Sequence, residues 1–258
     1  MKDKVIIVTG AATGMGRETA IRLGAKGAKV VCVTSNNVAG GEDTVRVIRE
    51  AGGKAVFCRC DVSKEDQVEA MVAFALETYG RLDGAFNNAG VGPDGVRMPF
   101  YGLTELPVDI WDKTMEVNAR GTFLCMKYEI PAMLKTGGGS IVNTASVGGL
   151  RMAPNFGAYG PSKAAVIAVT RTAALEFARQ GIRANVVCPG PTLGTELMKN
   201  SMATGGEASR DDNGPPIPMG KLGQTEDVAR AAIWLLSDEA GHITGHALSV
   251  DGGMADIG

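Results

Sequence analysis

The sequence predicts an α/β fold, a doubly wound parallel sheet with helices on both faces, formed by residues 1–258 as a single domain. Residues 5–8 are a continuous apolar run that leads through a glycine-rich turn into a helical pattern. Such a run is typical of a strand buried on both faces of a parallel sheet. Strand and helix patterns then alternate to the end of the chain without a linker, and 258 residues are enough for one substantial core.

Six further short runs predict the remaining strands of this sheet. They cover residues 30–33, 55–58, 82–86, 141–142, 183–187 and 247–250. Between the third and fourth strands, apolar residues recur at the spacing of one helix face, which predicts a helix packed on the core. The residues of this stripe are Val68, Met71, Val72, Ala75, Leu76 and Tyr79.

Two stretches interrupt the alternation of strands and helices. Residues 91–110 contain several prolines and glycines, which predict a long irregular connection. Residues 191–220 are richer still in Gly, Pro and small polar residues. Long loops in compact domains are commonly functional, and loops at the ligand edge of such a sheet carry binding residues. We therefore expect residues 191–220 to form a substrate lid.

The turn after the first strand, residues 9–16, reads Thr-Gly-Ala-Ala-Thr-Gly-Met-Gly. Glycines allow a sharp turn and a close backbone approach to a pyrophosphate, and the N-terminus of the next helix offers free N–H groups. The spacing of Gly10, Gly14 and Gly16 differs from the usual Gly-x-Gly-x-x-Gly fingerprint of dinucleotide binding. Taken alone, these residues indicate either a phosphate-binding loop or a plain tight turn.

Tyr159 and Lys163 are the strongest indication of chemistry in the sequence. If Tyr159 opens a helix, a spacing of four places Lys163 on the same face, and Pro161 is tolerated in the first turn. An ammonium group beside a phenol favours the phenolate and lowers its pKa from about 10. The pair is also common on amphipathic helices, but residues 139–146 predict a strand that delivers Ser146 to the ligand-binding edge of the sheet.

Together these motifs resemble the short-chain dehydrogenase/reductase family, whose members have a Rossmann-like fold. The resemblance rests on the glycine-rich turn and on the order and spacing of the polar motifs that follow it, and it covers nearly the whole chain. The matching motifs are residues 9–16, 87–90 (Asn-Asn-Ala-Gly), Asn118, Ser146, Tyr159 with Lys163, Asp61 with Val62, Pro189 with Gly190, residues 243–245 and residues 250–253.

The resemblance implies that four side chains interconvert a ketone and a secondary alcohol with a nicotinamide cofactor. Tyr159 would be the general acid that protonates the carbonyl oxygen, or the base in the reverse direction. Lys163 would lower the pKa of Tyr159 and hold the nicotinamide ribose, and Ser146 would hydrogen-bond the substrate oxygen. Asn118 would anchor a water chain to solvent, although it could simply tie a helix bend to a neighbouring strand.

The resemblance also implies which residues contact the cofactor. The pyrophosphate would lie on the glycine-rich turn, the adenine beside Asp61 and Val62, and the adenosine ribose near Asn88. Asp61 could instead cap a strand end, and Asn88 could be a turn former. The cofactor residues implied in this way are Gly10, Thr13, Gly14, Met15, Gly16, Thr34, Ser35, Asp61, Val62, Asn88, Ala89, Gly90, Tyr159, Lys163, Pro189 and Gly190.

The segment after Pro189 and Gly190 departs from the family pattern. Relatives usually place a threonine there that reaches the nicotinamide carboxamide or a phosphate. In this chain Gly194 comes first and Thr195 lies one position late. Thr192 and Thr195 are both candidates for this contact, and the sequence does not choose between them.

The end of the second strand, residues 34–37, bears on the choice of cofactor. NAD-dependent relatives usually carry a carboxylate there that binds the ribose hydroxyls and repels a 2′-phosphate. This chain has Thr34, Ser35 and two asparagines instead, and it lacks the arginine that would pair with a phosphate. Arg17 follows the glycine-rich turn, but its position does not guarantee a contact. The sequence slightly favours NADP(H) over NAD(H).

Composition limits the classes of partner and the cellular location. A net charge of -2 predicts no nucleic-acid partner, and no segment has the pattern of a signal peptide or a membrane span. Five cysteines, mostly in apolar contexts, predict free thiols in a reducing cytoplasm. The Cys58-x-Cys60 spacing has no histidine nearby in the sequence, so we expect no metal.

Residues 158–179 carry apolar side chains on more than one face of the predicted helix. Because the sheet can cover only one face, we expect a homo-oligomer, and the family resemblance implies a homotetramer. The expected partner is otherwise a small carbonyl or alcohol substrate. Two alternatives remain open: a catalytically silent nucleotide-binding sensor or scaffold, and a 3-oxoacyl-carrier reductase of the same family.

Overall fold

The structure, a computed structural model, describes residues 1–96, 98–203 and 217–255. Its centre is a seven-stranded parallel sheet in the order β3-β2-β1-β4-β5-β6-β9, which confirms the predicted doubly wound α/β fold. The strands are β1 Val5–Thr9, β2 Lys29–Thr34, β3 Lys54–Arg59, β4 Gly84–Asn87, β5 Gly139–Thr144, β6 Ile182–Pro189 and β9 Ala247–Val250. Each lies within a few residues of its predicted position.

Helices connect the strands and cover both faces of the sheet. They are α1 Gly14–Ala25, α2 Val38–Glu50, α3 Glu65–Tyr79, α4 Val108–Met115, α5 Gly121–Leu134, α6 Val147–Leu150, α7 Tyr159–Phe177, α8 Glu196–Ala203 and α9 Thr225–Leu236. A π-helical turn, Glu116–Arg120, joins α4 to α5. The predicted stripe from Val68 to Tyr79 forms one side of α3, as expected.

The core has a layer on each face of the sheet, because successive strand residues point to opposite sides. In β1, Val5 and Ile7 pack into the layer formed with α3, α5 and α7. Ile6 and Val8 of the same strand pack into the other layer with α1, α2 and α9. The strand order reverses between β1 and β4, so a crevice opens at their carboxyl ends, where ligands bind in such folds.

The expected lid over residues 191–220 is only partly irregular. It contains β7, Thr192–Leu193, and α8, and β7 pairs in parallel with β8, Gly223–Gln224. Residues 204–216 of the expected lid lie outside the described residues. The earlier irregular stretch also ends sooner than expected, because α4 begins at Val108. Among the residues described, no helix is both long and apolar enough to cross a membrane.

Candidate active site

Tyr159 and Lys163 lie in the first two turns of α7, which begins at Tyr159. Their spacing places both side chains on the side of α7 that faces the end of β5. The Lys163 ammonium donates to the carbonyl oxygen of Thr144 over 2.9 Å and lies 5.7 Å from the centroid of the Tyr159 ring. Pro161 is in the first turn, where its missing N–H costs no helical hydrogen bond, so the predicted helix start is confirmed.

The electrostatics of this pair differ from the expectation that Lys163 lowers the pKa of Tyr159. Burial raises the pKa of the Tyr159 phenol, and a hydrogen bond with Ser146 only partly offsets this. Burial also lowers the pKa of Lys163 to about 8. Desolvation disfavours the charged form of each group, so the pKa shifts of both groups favour their neutral forms.

Ser146 lies two residues beyond the carboxyl end of β5, as the sequence predicts. Its backbone is extended and its hydroxyl oxygen accepts from the backbone N–H of Gly148 over 3.1 Å, so Ser146 is the N-cap of the short helix α6. A serine favours this position because its side-chain oxygen satisfies a free N–H group of the first turn. The cap fixes the hydroxyl beside the Tyr159 phenol.

Asn118 lies in the π-helical turn between α4 and α5 and is fully buried. Its side-chain oxygen accepts from the backbone N–H of Val91, and its amide donates to the carbonyl oxygen of Val91, each over 2.8 Å. The amide also donates to the Ser162 hydroxyl over 2.9 Å. Asn118 therefore ties the helix bend to the chain after β4 and to α7, which is the structural alternative, and the water chain stays a prediction.

The glycine-rich turn has the shape of a cradle that side chains would fill. A Cβ on Gly16 would lie 2.2 Å from the Gly10 carbonyl oxygen, and a Cβ on Gly10 would lie 2.9 Å from the Asn88 amide nitrogen. Gly10 also has φ +69°, a left-handed conformation that favours glycine. The cradle ends at the N-terminus of α1, where Thr13 is exposed and Met15 is partly buried. The turn therefore fits a pyrophosphate group.

Thr9 holds the Asn-Asn-Ala-Gly segment against this turn. Its hydroxyl oxygen accepts from the backbone N–H groups of Asn88 and Ala89, each over 3.0 Å, and the Asn88 amide donates to the Thr9 carbonyl oxygen over 3.3 Å. A side chain at Gly90 would crowd this site, since a Cβ there would lie 3.0 Å from Asn118 Oδ1 and 3.3 Å from Lys163 Nζ. The segment therefore joins the glycine-rich turn to the residues of the expected acid/base site.

Asp61 and Val62 follow β3 with different surroundings. The Asp61 carboxylate accepts from the Ser63 backbone N–H over 3.0 Å and from the Ser63 hydroxyl over 2.8 Å. Burial tends to raise the pKa of this carboxyl, but the hydrogen bonds from Ser63 keep its pKa below the usual range. Val62 is buried in the core. Asp61 thus stabilises the turn before α3, which is the structural alternative, and its adenine contact stays a prediction.

The two candidate threonines in the chain after β6 have different surroundings, and their contact with the cofactor stays a prediction. Gly190 packs on Asp251, where a Cβ would lie 2.8 Å from the Asp251 Cβ, so Pro189 and Gly190 direct the chain closely past the C-terminal turn. Thr192 is buried in β7, and its hydroxyl donates to the Gly190 carbonyl oxygen over 2.8 Å. Thr195 instead lies over the glycine-rich turn, since a Cβ on Gly14 would lie 3.5 Å from its Cα.

Thr34 and Ser35 lie at the carboxyl end of β2, the expected position for a contact with the adenosine ribose. The Thr34 carbonyl oxygen accepts from the Cys60 backbone N–H over 3.0 Å. The Ser35 carbonyl oxygen accepts from Arg59 Nε over 3.0 Å. Both residues are partly exposed, so a bound nucleotide can reach them.

A narrow apolar cavity of about 10 Å³ adjoins the Tyr159 ring. Its walls come from the loop after β4, from α4 and from the segment that precedes α7. Phe156 packs 6.2 Å from Tyr159 between ring centroids, and Phe100 lies 5.7 Å from Phe156. The lining residues are Pro93, Met98, Pro99, Tyr101, Leu106, Ile110, Thr114, Phe156, Gly157, Ala158 and Tyr159.

Sequence reasoning did not assign site roles to three residues that hold the candidate site together. They are Thr9, which binds the backbone of Asn88, Thr144, which binds Lys163 through its carbonyl oxygen, and Ser162, which binds Asn118. Thr9 lies in the glycine-rich turn and Ser162 lies between Tyr159 and Lys163, so both could have been identified as candidates from the sequence. Thr144 acts through its backbone, for which side-chain chemistry gives no signal.

Comparisons with known proteins agree with this geometry over almost the entire chain. A family model described as enoyl-(acyl carrier protein) reductase matches residues 10–255. A 2,5-dichloro-2,5-cyclohexadiene-1,4-diol dehydrogenase of Sphingobium indicum is 41% identical over 100% of this chain and 99% of its own length. A cyclohexanol dehydrogenase of Acinetobacter sp. is 38% identical over 97% of this chain and 94% of its own.

A solved structure resembles this one equally closely. The crystal structure of levodione reductase superposes with a TM-score of 0.91 at 34% identity, and the match covers 99% of this chain and 98% of that one. Agreement of this extent in both sequence and fold shows that the chain belongs to the short-chain dehydrogenase/reductase family of nicotinamide-dependent oxidoreductases.

Proposed function

We propose that the protein interconverts a ketone and a secondary alcohol, with Tyr159 as the general acid/base. The observation that carries this proposal is the meeting of Tyr159, Ser146 and Lys163 at the carboxyl end of β5, beside the cradle of the glycine-rich turn. The Ser146 hydroxyl is hydrogen-bonded to the Tyr159 phenol. A carbonyl oxygen between these two groups would accept a hydrogen bond from each, as carbonyl reduction requires.

Each residue has a distinct task in the proposed reaction. When bound, the nicotinamide cofactor supplies or accepts the hydride. Tyr159 donates its phenolic proton to the substrate oxygen during reduction and takes a proton from the alcohol during oxidation. In this proposal Lys163, which is held by the Thr144 carbonyl, binds the nicotinamide ribose and stabilises the phenolate that forms. The proton that Tyr159 loses is replaced from solvent.

The substrate we propose is a small uncharged ring compound. The cavity beside Tyr159 is lined mainly by apolar and aromatic side chains, and none of its lining residues in the described part of the chain is charged. A charged substrate would lose hydration there without gaining a partner. Three proteins similar to this chain have names that refer to cyclohexadienediol, cyclohexanol and levodione. Both lines of argument favour an alicyclic ketone or alcohol.

For the cofactor we propose NADP(H) over NAD(H). The residues at the end of β2 include no carboxylate that would repel a 2′-phosphate. Hydroxyl and amide groups of Thr34, Ser35 and Asn36 can donate to phosphate oxygens.

For the cellular location we propose a reducing cytoplasm. The five cysteines are free, in keeping with this proposal.

A 3-oxoacyl-carrier reductase is the second candidate, because the matching family model is described as an acyl-carrier-protein reductase. An acidic carrier protein would need a basic surface, and the chain has 26 basic against 28 acidic residues. A nucleotide sensor that lacks turnover is the third. The intact set of Asn118, Ser146, Tyr159 and Lys163 argues against it.

The test is the absorbance of reduced cofactor in the presence of separate classes of carbonyl compound. The panel contains cyclohexanone and substituted cyclic diketones, open-chain ketones, a sugar and an acyl thioester. We expect the highest kcat/KM with the ring ketones. Turnover of the acyl thioester alone would favour the carrier-linked reductase. Binding of cofactor without oxidation by any compound would favour the sensor.

A further inference from the structure

Arg59, at the end of β3, lies beside the end of β2, a segment that contains no arginine of its own. β2 and β3 pair in parallel with Thr34 opposite Arg59. The Arg59 Nε then donates to the Ser35 carbonyl oxygen over 3.0 Å, which holds the guanidinium beside the turn that follows β2. In folds of this type the adenosine ribose lies at that turn, and a nearby arginine can accommodate a 2′-phosphate.

The positive charge of Arg59 is available to a ligand. Its side chain is exposed, and in the described part of the chain no carboxylate forms an ion pair with it. The hydrogen bond from Nε orients the guanidinium. Its Nη1 and Nη2 have no partner among the described residues. These two nitrogens are the ones that bind phosphate oxygens in a bidentate manner.

Arg17, the other arginine near the nucleotide site, is already engaged. Its Nη2 forms an ion pair with Asp43 over 2.7 Å, and its Nη1 donates to the Thr44 hydroxyl over 2.9 Å. Asp43 also pairs with Arg46 over 2.6 Å. A phosphate that approached Arg17 would therefore meet the Asp43 carboxylate as well, which opposes binding.

Helix α2 adds a second favourable feature at the same place. It begins at Val38, three residues after Ser35, and its N-terminal N–H groups and dipole favour an anion. The Asn37 side chain caps this end through the Gly40 N–H over 2.9 Å, so part of the N-terminus stays open to a ligand. The Arg59 guanidinium and the helix end therefore lie close together beside Ser35, and Asp61 lines the same surface pocket as Arg59.

We propose that Arg59 is the residue that distinguishes NADP(H) from NAD(H), by pairing its Nη1 and Nη2 with the 2′-phosphate. The proposal rests on the proposed preference for NADP(H). It goes beyond that preference because it assigns recognition to β3, the neighbouring strand, instead of β2. The competing explanation is that Arg59 only clamps the two strands together through the Ser35 carbonyl.

Arg49 provides a matched control for that explanation. Its Nε donates to the Ala55 carbonyl oxygen over 2.8 Å, the same kind of contact, but at the amino end of β3 and away from the ligand edge. The experiment compares the wild-type protein with Arg59→Gln and Arg49→Gln. Calorimetric titration with NADP⁺ and with NAD⁺ measures binding directly, since these two probes differ only in the 2′-phosphate, and circular dichroism checks the fold.

We expect Arg59→Gln to lower the affinity for NADP⁺ about tenfold or more, which is the contribution of one charge-assisted pair. The affinity for NAD⁺ should fall less than about twofold. Arg49→Gln should change neither. The loss for NADP⁺ should also shrink as salt concentration rises, because salt screens an exposed ion pair.

Three results would overturn the proposal, and they are distinguishable. If wild type prefers NADP⁺ and Arg59→Gln keeps that preference, the inference about Arg59 fails while the proposed cofactor stands. If wild type binds NAD⁺ as tightly as NADP⁺, the cofactor proposal fails first. If Arg59→Gln weakens both nucleotides equally, Arg59 is a strand clamp and not a specificity residue.

Discussion

The amide of Asn87 donates to Glu129 Oε2 over 2.9 Å in the interior of the protein, where both side chains are buried. The same amide donates to Asn143 Oδ1 over 3.0 Å, and the Asn143 amide donates to the Thr170 hydroxyl over 2.8 Å. Among the described residues, Asn87 Oδ1 and Glu129 Oε1 are buried acceptors without a partner. Protonation of Glu129 would remove its buried charge and turn one of its oxygens into a hydrogen-bond donor.

The first prediction concerns the pH dependence of stability. Burial raises the pKa of Glu129 from 4.5 to about 7 in the folded protein. The folded state therefore binds more protons than the unfolded state between these values, so the free energy of unfolding falls as pH rises from about 4.5 to about 7 and then levels off. The expected decrease is about 3 kcal/mol. Denaturant unfolding at several pH values measures it.

Glu129→Gln is the control for this prediction, because glutamine keeps the shape and cannot ionise. In that variant the decrease between pH 4.5 and 7 should disappear. Carboxylates whose pKa is lowered in the folded protein, such as Asp43 and Asp61, stabilise the protein at neutral pH. Their contribution to the free energy of unfolding is lost as pH falls, in a pH range below that of Glu129. A wild-type stability that is flat from pH 4.5 to 7 would contradict a neutral Glu129.

The second prediction concerns the proposed acid/base residue. Tyr159→Phe should leave cofactor binding nearly unchanged and lower kcat about a hundredfold or more, since a positioned general acid is lost. Cofactor fluorescence measures binding, and single-turnover kinetics measure the chemical step. Tyr128→Phe is the control. The Tyr128 hydroxyl donates to Glu65 over 3.0 Å and lies outside the proposed site. Near-normal turnover in Tyr159→Phe would exclude the proposed mechanism.

The third prediction concerns the contact between Gly92 and Tyr159. A Cβ at Gly92 would lie 2.8 Å from two carbons of the Tyr159 ring and 2.9 Å from Leu197 Cδ1. Gly92→Ala should therefore displace the ring and lower kcat/KM about 10- to 100-fold while the fold is retained. Gly102→Ala, whose Cβ would meet nothing closer than 3.6 Å, should behave as wild type. Equal activity in both variants would disprove the close contact.

The fourth prediction is the homotetramer expected from the apolar surface of α7. Leu175 on α7 is 85% exposed and Phe123 on the adjoining α5 is 48% exposed. Light scattering at micromolar concentration should give a tetramer for wild type and a smaller mass for Leu175→Glu with Phe123→Glu, because charges oppose burial at an interface. Leu103→Glu tests for a general effect of added charge. A wild-type monomer would refute the expectation.

The sequence predicted those parts of the site that depend on local spacing. Tyr159 and Lys163 share one side of α7 because residues four apart on a helix lie one turn apart, whatever the rest of the fold does. Ser146 follows a strand, and the carboxyl ends of parallel strands meet at one edge of the sheet. The local pattern therefore also predicted the crevice to which these residues belong.

Relations between distant segments were decided by the tertiary structure alone. Strand register places Arg59 opposite Thr34, a residue distant in the sequence, and no local pattern encodes that pairing. Thr195 lies on Gly14 for the same reason. The pKa of Tyr159 is raised where spacing alone predicted a lowered value, because desolvation depends on every atom packed around the group. Periodicity fixes which residues share a face of one element, whereas register and burial depend on how elements pack together.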